Sequence, residues 1–343
     1  MHRTGIGLVG LGLAVKPHVL ALKDLVDRVE FVGGFSPTPQ RRATFHAQWQ
    51  LPVVDSLEAL LGNPRIDAVI ITTPPRTHAQ IARAAARAGK HVLVEKPLDV
   101  DHASATGLVD ELERLGRTFG VVLQHRFREG AMALRQRLRA GELGELVSVS
   151  ASIRWWRSFE YFREPGRGML ERDAGGVLLT QAIHTLDLLL DLAGPAKRLS
   201  ALCRTSPLRA IDTEDIACAT VEYANGAVGT VDATTTAFPG NPERIEIAGT
   251  KGSVVLAAES LRIDFHDAPA FVFEGSSSGG GGADPMAFSH DSHRRLIADF
   301  LDACEGGRQP QVSARSALRV HALIDAMLAS SRDGHPVNVA AAR

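Results

Sequence analysis

Cysteine is scarce and scattered. The three in this 343-residue chain, Cys203, Cys218 and Cys304, are odd in number and far apart, with no CxxC pair. They support neither a disulfide framework nor a zinc site, and no metal is expected. A reducing, cytoplasmic setting fits best. An excess of one charge is also missing: 38 Lys+Arg stand against 39 Asp+Glu. That balance supplies no basic surface for nucleic acid and no acidic tail. No charge-free run approaches the ~20 residues that a spanning helix needs, so no integral membrane protein is expected. Internal repeats are absent. What remains, 45% apolar and 22% charged residues, is an ordinary globular composition. The length suggests two domains, each large enough to bury a core.

Residues 1–15 (MHRTGIGLVGLGLAV) pair a basic start with an apolar run, as a signal peptide does. Glycines interrupt that run, no A-x-A cleavage site follows, and a helical pattern continues directly. The first strand of a domain is the expected reading.

The first 120 residues alternate. Short β-rich runs stand at 5–10, 29–34, 68–72, 91–94 and 118–123, mostly separated by stretches with helical spacing. Residues 76–89 (RTHAQIARAAARAG) are the clearest helix, with a Gly in the C′ position. This rhythm predicts a parallel sheet covered on both faces, binding ligands at the carboxyl ends of its strands. After residue 145 strands follow one another, at 146–156, 197–204, 216–223, 227–236, 244–248, 253–257 and 261–265. Asn225-Gly226 and Lys251-Gly252 mark turns between them. This predicts a mostly antiparallel sheet, with a helix at 176–193 and two more at 289–305 and 313–332. The segment 275–282 (GSSSGGGG) reads as a mobile surface loop.

Four motifs carry chemistry. Gly10-Leu11-Gly12-Leu13-Ala14-Val15 lies between the first strand and the first helix. Its first Gly suits a tight turn, and its second lets a pyrophosphate approach the helix N-terminus. A strict GxGxxG would have Gly where Val15 stands, and such a turn can also exist without a ligand. At the end of the next strand, Gly34-Phe35-Ser36-Pro37-Thr38-Pro39-Gln40-Arg41-Arg42 lacks the acid that grips a ribose 2′-hydroxyl. Ser36, Thr38 and the arginines suit a 2′-phosphate instead. Thr73-Pro74-Pro75-Arg76-Thr77-His78 and Glu95-Lys96-Pro97 both stand at carboxyl ends of strands. A Lys locked between Glu95 and Pro97 there is a candidate for proton chemistry.

On these residues the chain resembles the Gfo/Idh/MocA oxidoreductase family, nicotinamide-dependent enzymes of sugars, cyclitols and related polyols. GLVGLG, TPPRTH and AGKHVLVEKPL stand in the family's order. His125-Arg126-Phe127 with AGELGEL resembles the link to the second domain, and AGGVLLTQAIHTLDLL (174–189) resembles the substrate-site helix. The resemblance implies a Rossmann doubly wound domain (1–123) followed by an α+β domain (124–343). The latter carries a large, mostly antiparallel open sheet, and the C-terminal helices pack back toward the first domain. It implies NADP(H) or NAD(H) held by Gly10, Gly12, Leu13, Ala14, Ser36, Thr38, Arg41, Thr73, Pro74, Pro75, His78, Glu95 and Lys96. The absent ribose acid favours NADP(H). Lys96 and His184 are the implied catalytic pair, although His184 alone reads more simply as a core histidine on an apolar helix. The implied substrate ligands are Lys96, Arg126, Tyr161, Arg167, Thr180 and His184. The implied partners are a small-molecule polyol or sugar and further copies of the chain, in a dimer or tetramer built through the C-terminal sheet; neither nucleic acid nor membrane is expected.

Two departures stand out. Many relatives carry Asp or Asn four residues before the histidine, where this chain has Thr180, which cannot act as a carboxylate base. Related sequences often have a Trp where this chain has Gly166, although Tyr161 and Arg167 match. Two other readings stay open at this point: a non-catalytic nicotinamide sensor, and a same-fold reductase of a non-sugar substrate such as a dihydrodiol or tetrapyrrole.

Overall fold

The computed structural model describes residues 3–12, 14–275 and 289–341. The chain first runs through β1 (Thr4–Val9), α1 (Val15–Asp24), β2 (Val29–Phe35), α2 (Pro39–Trp49), α3 (Leu57–Leu61), β3 (Ala68–Ile71), α4 (His78–Arg87), β4 (His91–Glu95), α5 (His102–Arg114) and β5 (Phe119–Val122). It continues with α6 (Glu129–Arg139), β6 (Leu146–Arg154), α7 (Leu170–Asp173), α8 (Ile183–Ala193), β7 (Ala196–Arg204), β8 (Ile216–Tyr223) and β9 (Val228–Thr234). Then come β10 (Arg244–Gly249), β11 (Gly252–Ala257), β12 (Ser260–Phe265), β13 (Phe271–Phe273), α9 (Asp291–Gly306), α10 (Ala314–Asp333) and β14 (Val337–Asn338). Two compact units result: Met1–Gln124 with His290–Ala317, and His125–Ser289 with Leu318–Arg343.

The first unit holds a parallel sheet in the order β2-β1-β3-β4-β5. Every residue of β1 and of β3 is buried, as a sheet covered on both faces requires. That is why these strands read as continuous apolar runs rather than alternating ones. The chain steps from β1 outward to β2, then returns to β3 on the other side. The carboxyl ends of β1 and β3 therefore flank a topological switch point, where open α/β sheets bind ligands. α4 buries Ala82, Ala85 and Ala86 and turns its arginines outward; Gly89 follows it with φ 79°. The helix begins at His78, after a 3₁₀ turn at Pro75–Thr77, rather than at 76. α9 packs on α1, and Val121 N–H donates to the Val312 carbonyl at 3.1 Å.

The second unit holds a nine-stranded sheet, β13-β12-β11-β10-β6-β9-β8-β7-β14. All its pairings are antiparallel except β6 with β9. One face is buried through Val149, Ala151, Ile153, Ala217, Ala219, Val221, Val231, Ile245 and Ile247. The other carries polar residues together with exposed Leu202, Val228 and Val272. β6 ends at Arg154 and not at Trp156, which makes only an isolated bridge to Thr236. The expected helix at 176–193 is a π turn at Leu178–Ala182 running into α8. The stretch Leu170–Ala193 is apolar enough to cross a membrane, but most of it is buried inside the protein. From residue 276 onward, the low-complexity segment lies outside the described residues.

Candidate active site

In the first unit, the carboxyl ends of β1 to β4 gather the expected cofactor residues. Gly10 turns with φ 101°, and a Cβ there would stand 2.7–2.8 Å from the backbone of Thr72 and Thr73. The Thr72 hydroxyl donates to the Gly10 carbonyl at 2.6 Å, which ties the turn to the end of β3. Only glycine fits this close approach. A Cβ on Gly12, by contrast, would meet nothing within 4 Å. α1 follows with no side-chain cap and no acid in its first turn. Open space over Gly12 and an uncapped helix N-terminus fit a diphosphate. Ala14 is the N-cap residue of α1; Leu13 lies outside the described residues.

At the end of β2, Ser36 is buried and its carbonyl accepts from Arg42 Nη1 at 2.7 Å. Thr38 and Arg41 are exposed at the start of α2. Arg42 is thereby placed beside the strand end where an acid would otherwise sit. Beyond β3, Thr73 and Pro75 are half-buried and Pro74 is exposed. His78, expected to touch the cofactor, is instead fully buried. Its Nδ1 meets the Pro97 carbonyl at 2.8 Å and its Nε2 the Thr73 carbonyl at 2.7 Å. It braces two strand-end loops, and burial pushes its pKa below the usual value.

Glu95 closes β4. Its Oε1 lies 2.8 Å from His18 Nε2, and its Oε2 accepts from the Lys96 backbone N–H at 3.1 Å. His293 of α9 joins them, its ring edge-to-face on His18 with centroids 5.3 Å apart. The three side chains bring potential metal-ligating atoms within 4.8 Å of one another. The His18–Glu95 hydrogen bond ties two of the three together. Burial opposes ionisation of Glu95, but the bond to His18 and the nearby His293 and Lys96 hold its carboxyl down at about 2. Because this lies below the ordinary 4.5, the ion stabilises the fold above that pH and loses its contribution as pH falls toward about 2. Thermal melts between neutral pH and pH ~3 are therefore expected to fall less steeply for Glu95→Gln than for the wild type. Parallel curves would contradict this. Lys96 itself is half-buried at the strand end.

In the second unit, α8 carries His184, which is buried. The ring of His125 faces it at a centroid distance of 5.0 Å and a tilt of 30°. Beneath them Arg126 meets Asp187 in a bidentate pair, Nε to Oδ2 at 2.6 Å and Nη2 to Oδ1 at 2.5 Å. Asp191 lies 3.5 Å from Arg126 and accepts from Arg135 Nε at 2.6 Å. Burial pushes the Asp187 carboxyl up and Arg126 pulls it down. The fork geometry is that of an ionised pair. The expectation of a substrate ligand at Arg126 thus meets a guanidinium that is 2% exposed and held by carboxylates. It anchors the His184 helix.

Thr180 sits in the π turn, where its hydroxyl donates to the Gly176 carbonyl at 2.7 Å. Gln181 Nε2 donates to the Tyr161 hydroxyl at 2.8 Å, and Arg157 Nε donates to Gln181 Oε1 at 3.0 Å. The Arg167 guanidinium stacks 4.9 Å from the Tyr161 ring and is paired with Glu164. Tyr161, Thr180, Gln181 and Glu214 line one pocket. Tyr161, Arg167 and Thr180 are therefore brought into one neighbourhood. His18, Gln181, Glu214 and His293 were not singled out from sequence, and His125 was read only as part of the link to the second domain. Of these, His18 left a signal, falling among Val15, Val19 and Leu22 on the buried stripe of α1.

Residues 4–123 match the family model described as an oxidoreductase family with an NAD-binding Rossmann fold. Residues 131–255 match the GFO/IDH/MocA C-terminal domain. The D-apiose dehydrogenase of Paraburkholderia graminis is 27% identical over 97% of this chain and 88% of its own length. The inositol 2-dehydrogenase of Rhizobium meliloti is 25% identical, covering 97% and 98%. Among solved structures, the WlbA dehydrogenase of Bordetella pertussis, in complex with NADH and UDP-GlcNAcA, superposes with a TM-score of 0.85 at 27% identity. It covers 99% of this chain and 100% of its own.

Proposed function

The chain belongs to the GFO/IDH/MocA oxidoreductase family, and from that premise we propose that it moves a hydride between nicotinamide and the secondary alcohol or ketone carbon of a sugar, cyclitol or related polyol. The observation that carries this reading is the set of groups at one edge of the first unit's sheet. An open glycine turn sits at the switch point, and Lys96 stands at the end of β4. Relatives named for D-apiose and inositol support the substrate class. The bound nicotinamide would supply the hydride acceptor or donor. Gly10, Gly12 and Ala14 would hold its diphosphate at the start of α1, and Thr73, Pro74 and Pro75 would border it. Glu95 would fix the backbone from which Lys96 projects. Lys96 and His184 would orient the carbinol hydroxyl and handle its proton, while Thr180, with Tyr161 and Arg167, would bind the rest of the substrate. The polar open face of the second sheet, with exposed Leu202 and Val228, would join copies of the chain into a dimer or tetramer.

NADP(H) is the favoured cofactor in this reading. The segment that follows β2 carries no acid to repel a 2′-phosphate but Ser36, Thr38, Arg41 and Arg42, although the exposed Asp55 lies 3.4 Å from Arg42. One charge-assisted contact contributes roughly 1.5–3 kcal/mol, or about 10- to 100-fold in affinity. Fluorescence titration is expected to show NADPH binding tighter than NADH by that order, and Ser36→Asp is expected to reverse the preference. Equal or tighter NADH binding to the wild type would show that the arginines do not meet a 2′-phosphate.

A further inference from the structure

The helix that carries His184 is held at its start by one residue from elsewhere in the chain. Glu214 lies two residues ahead of β8. Its Oε2 accepts from the Gly176 N–H and its Oε1 from the Leu178 N–H, each at 3.1 Å. Its own carbonyl accepts from the Val177 N–H at 2.7 Å. Three successive donors, which a helix start leaves without helical partners, thus all end on Glu214. A carboxylate is favoured at that end of a helix. The adjacent Asp215 does not share this task, because its carboxylate is bound by Ser206 and Arg209.

Gly176 is the junction. A Cβ there would lie 1.9 Å from the Glu214 carbonyl oxygen and 2.5 Å from its carboxylate. On its other side, the Gly176 carbonyl accepts from both the Thr180 backbone N–H, at 3.0 Å, and the Thr180 hydroxyl, at 2.7 Å. The π turn at Leu178–Ala182 begins directly after this clamp and ends one residue before α8. A π turn inserts an extra residue, which rotates later side chains by about 100° relative to earlier ones. Where the turn begins therefore decides which way Thr180, Gln181 and His184 point. Sequence alone would continue a regular α-helix through this stretch.

We propose that Glu214 is a positioning residue for the reaction: its carboxylate fixes the start of the π turn and so aims the Thr180–His184 face of the helix. The inference rests on the reading that His184 handles the substrate proton. Glu214→Gln tests it, because the amide keeps the shape but offers one acceptor oxygen and presents N–H to N–H at the other contact. A displacement of about 1 Å in a proton-transfer group can cost up to 10²-fold. Expected is a fall in kcat of roughly 10- to 100-fold, with the dissociation constant for NADP(H) unchanged and the ring resonances of His184 shifted in the NMR spectrum of histidine-labelled protein. Glu214→Asp, which keeps the charge on a shorter arm, is expected to recover part of that loss. A folded Glu214→Gln variant with wild-type kcat and unmoved His184 resonances would overturn the inference. If Glu214→Gln does not fold, Glu214→Asp decides in the same way: a lowered kcat with intact cofactor binding supports the role, and an unchanged kcat refutes it. His184→Ala is measured alongside. Full turnover by that variant would defeat the functional reading itself, whereas an inactive His184→Ala beside a fully active Glu214→Gln would defeat the positioning role only.

Discussion

Lys96→Met is expected to lower kcat by roughly 10²- to 10⁴-fold, the usual cost of removing a proton-transfer group, and to leave nicotinamide-cofactor affinity within a few-fold of wild type. Hydride cannot leave a carbinol carbon unless the hydroxyl proton leaves as well. A group must therefore stand within about 3 Å of that hydroxyl to take or hold the proton. Lys96 directly follows β4, at the carboxyl end of the parallel sheet, and is the residue proposed for this task. Methionine matches the length of its apolar stem and removes the ammonium. The local backbone should survive the change, because the main-chain N–H of residue 96, which donates to Glu95 Oε2, is kept. Steady-state kinetics with the best substrate, cofactor titration and a melting curve together separate loss of chemistry from loss of fold. A variant with near-normal kcat would remove Lys96 from the mechanism.

His184→Ala is expected to cost turnover on the same scale, roughly 10²- to 10⁴-fold, again with cofactor binding retained. An imidazole is the one side chain whose ordinary pKa lies close to neutrality, which suits the proton-transfer role proposed for it. Its support is independent of its own side chain: Arg126, Asp187, Asp191 and Arg135 hold α8 from below. Truncating the ring should therefore empty a functional position without dismantling the helix. Thr180→Val provides the contrast. The Thr180 hydroxyl donates its proton to the Gly176 carbonyl. Its loss should be modest and should fall mainly on KM. A Thr180→Val variant as crippled as His184→Ala would give the hydroxyl a catalytic role denied to it here.

The sequence carried the Rossmann sheet because its central strands are buried on both faces and must be mostly apolar, as β3 is throughout and β1 is after Thr4. It carried the second sheet because one face is buried, which imposes alternation, and because Asn225-Gly226 allows a tight hairpin, with Gly226 at φ 89°. Gly10 was legible for the same local reason: a positive φ beside a strand end demands glycine. What stayed hidden depends on distant partners. His293 reaches Glu95 from nearly 200 residues further along the chain, and no local pattern announces that meeting. Arg126 and His78 read as ligands because they stand in motifs that resemble the family's, yet a buried carboxylate and two carbonyls engage them. The π turn escaped notice because its cause, the Glu214 clamp, lies more than 30 residues downstream.

The account's central claim is that hydride passes directly between a CH–OH carbon and the nicotinamide. The measurement that tests it most directly uses sugars and cyclitols deuterated at their carbinol carbons, incubated with the enzyme and oxidised cofactor, followed by NMR of the reduced nicotinamide. The account predicts deuterium at C4 of the nicotinamide ring with at least one secondary alcohol of the set, and none when the Lys96→Met variant replaces the wild type over the same interval. Reduced cofactor carrying no deuterium, or no reduction with any member of the set, would contradict it.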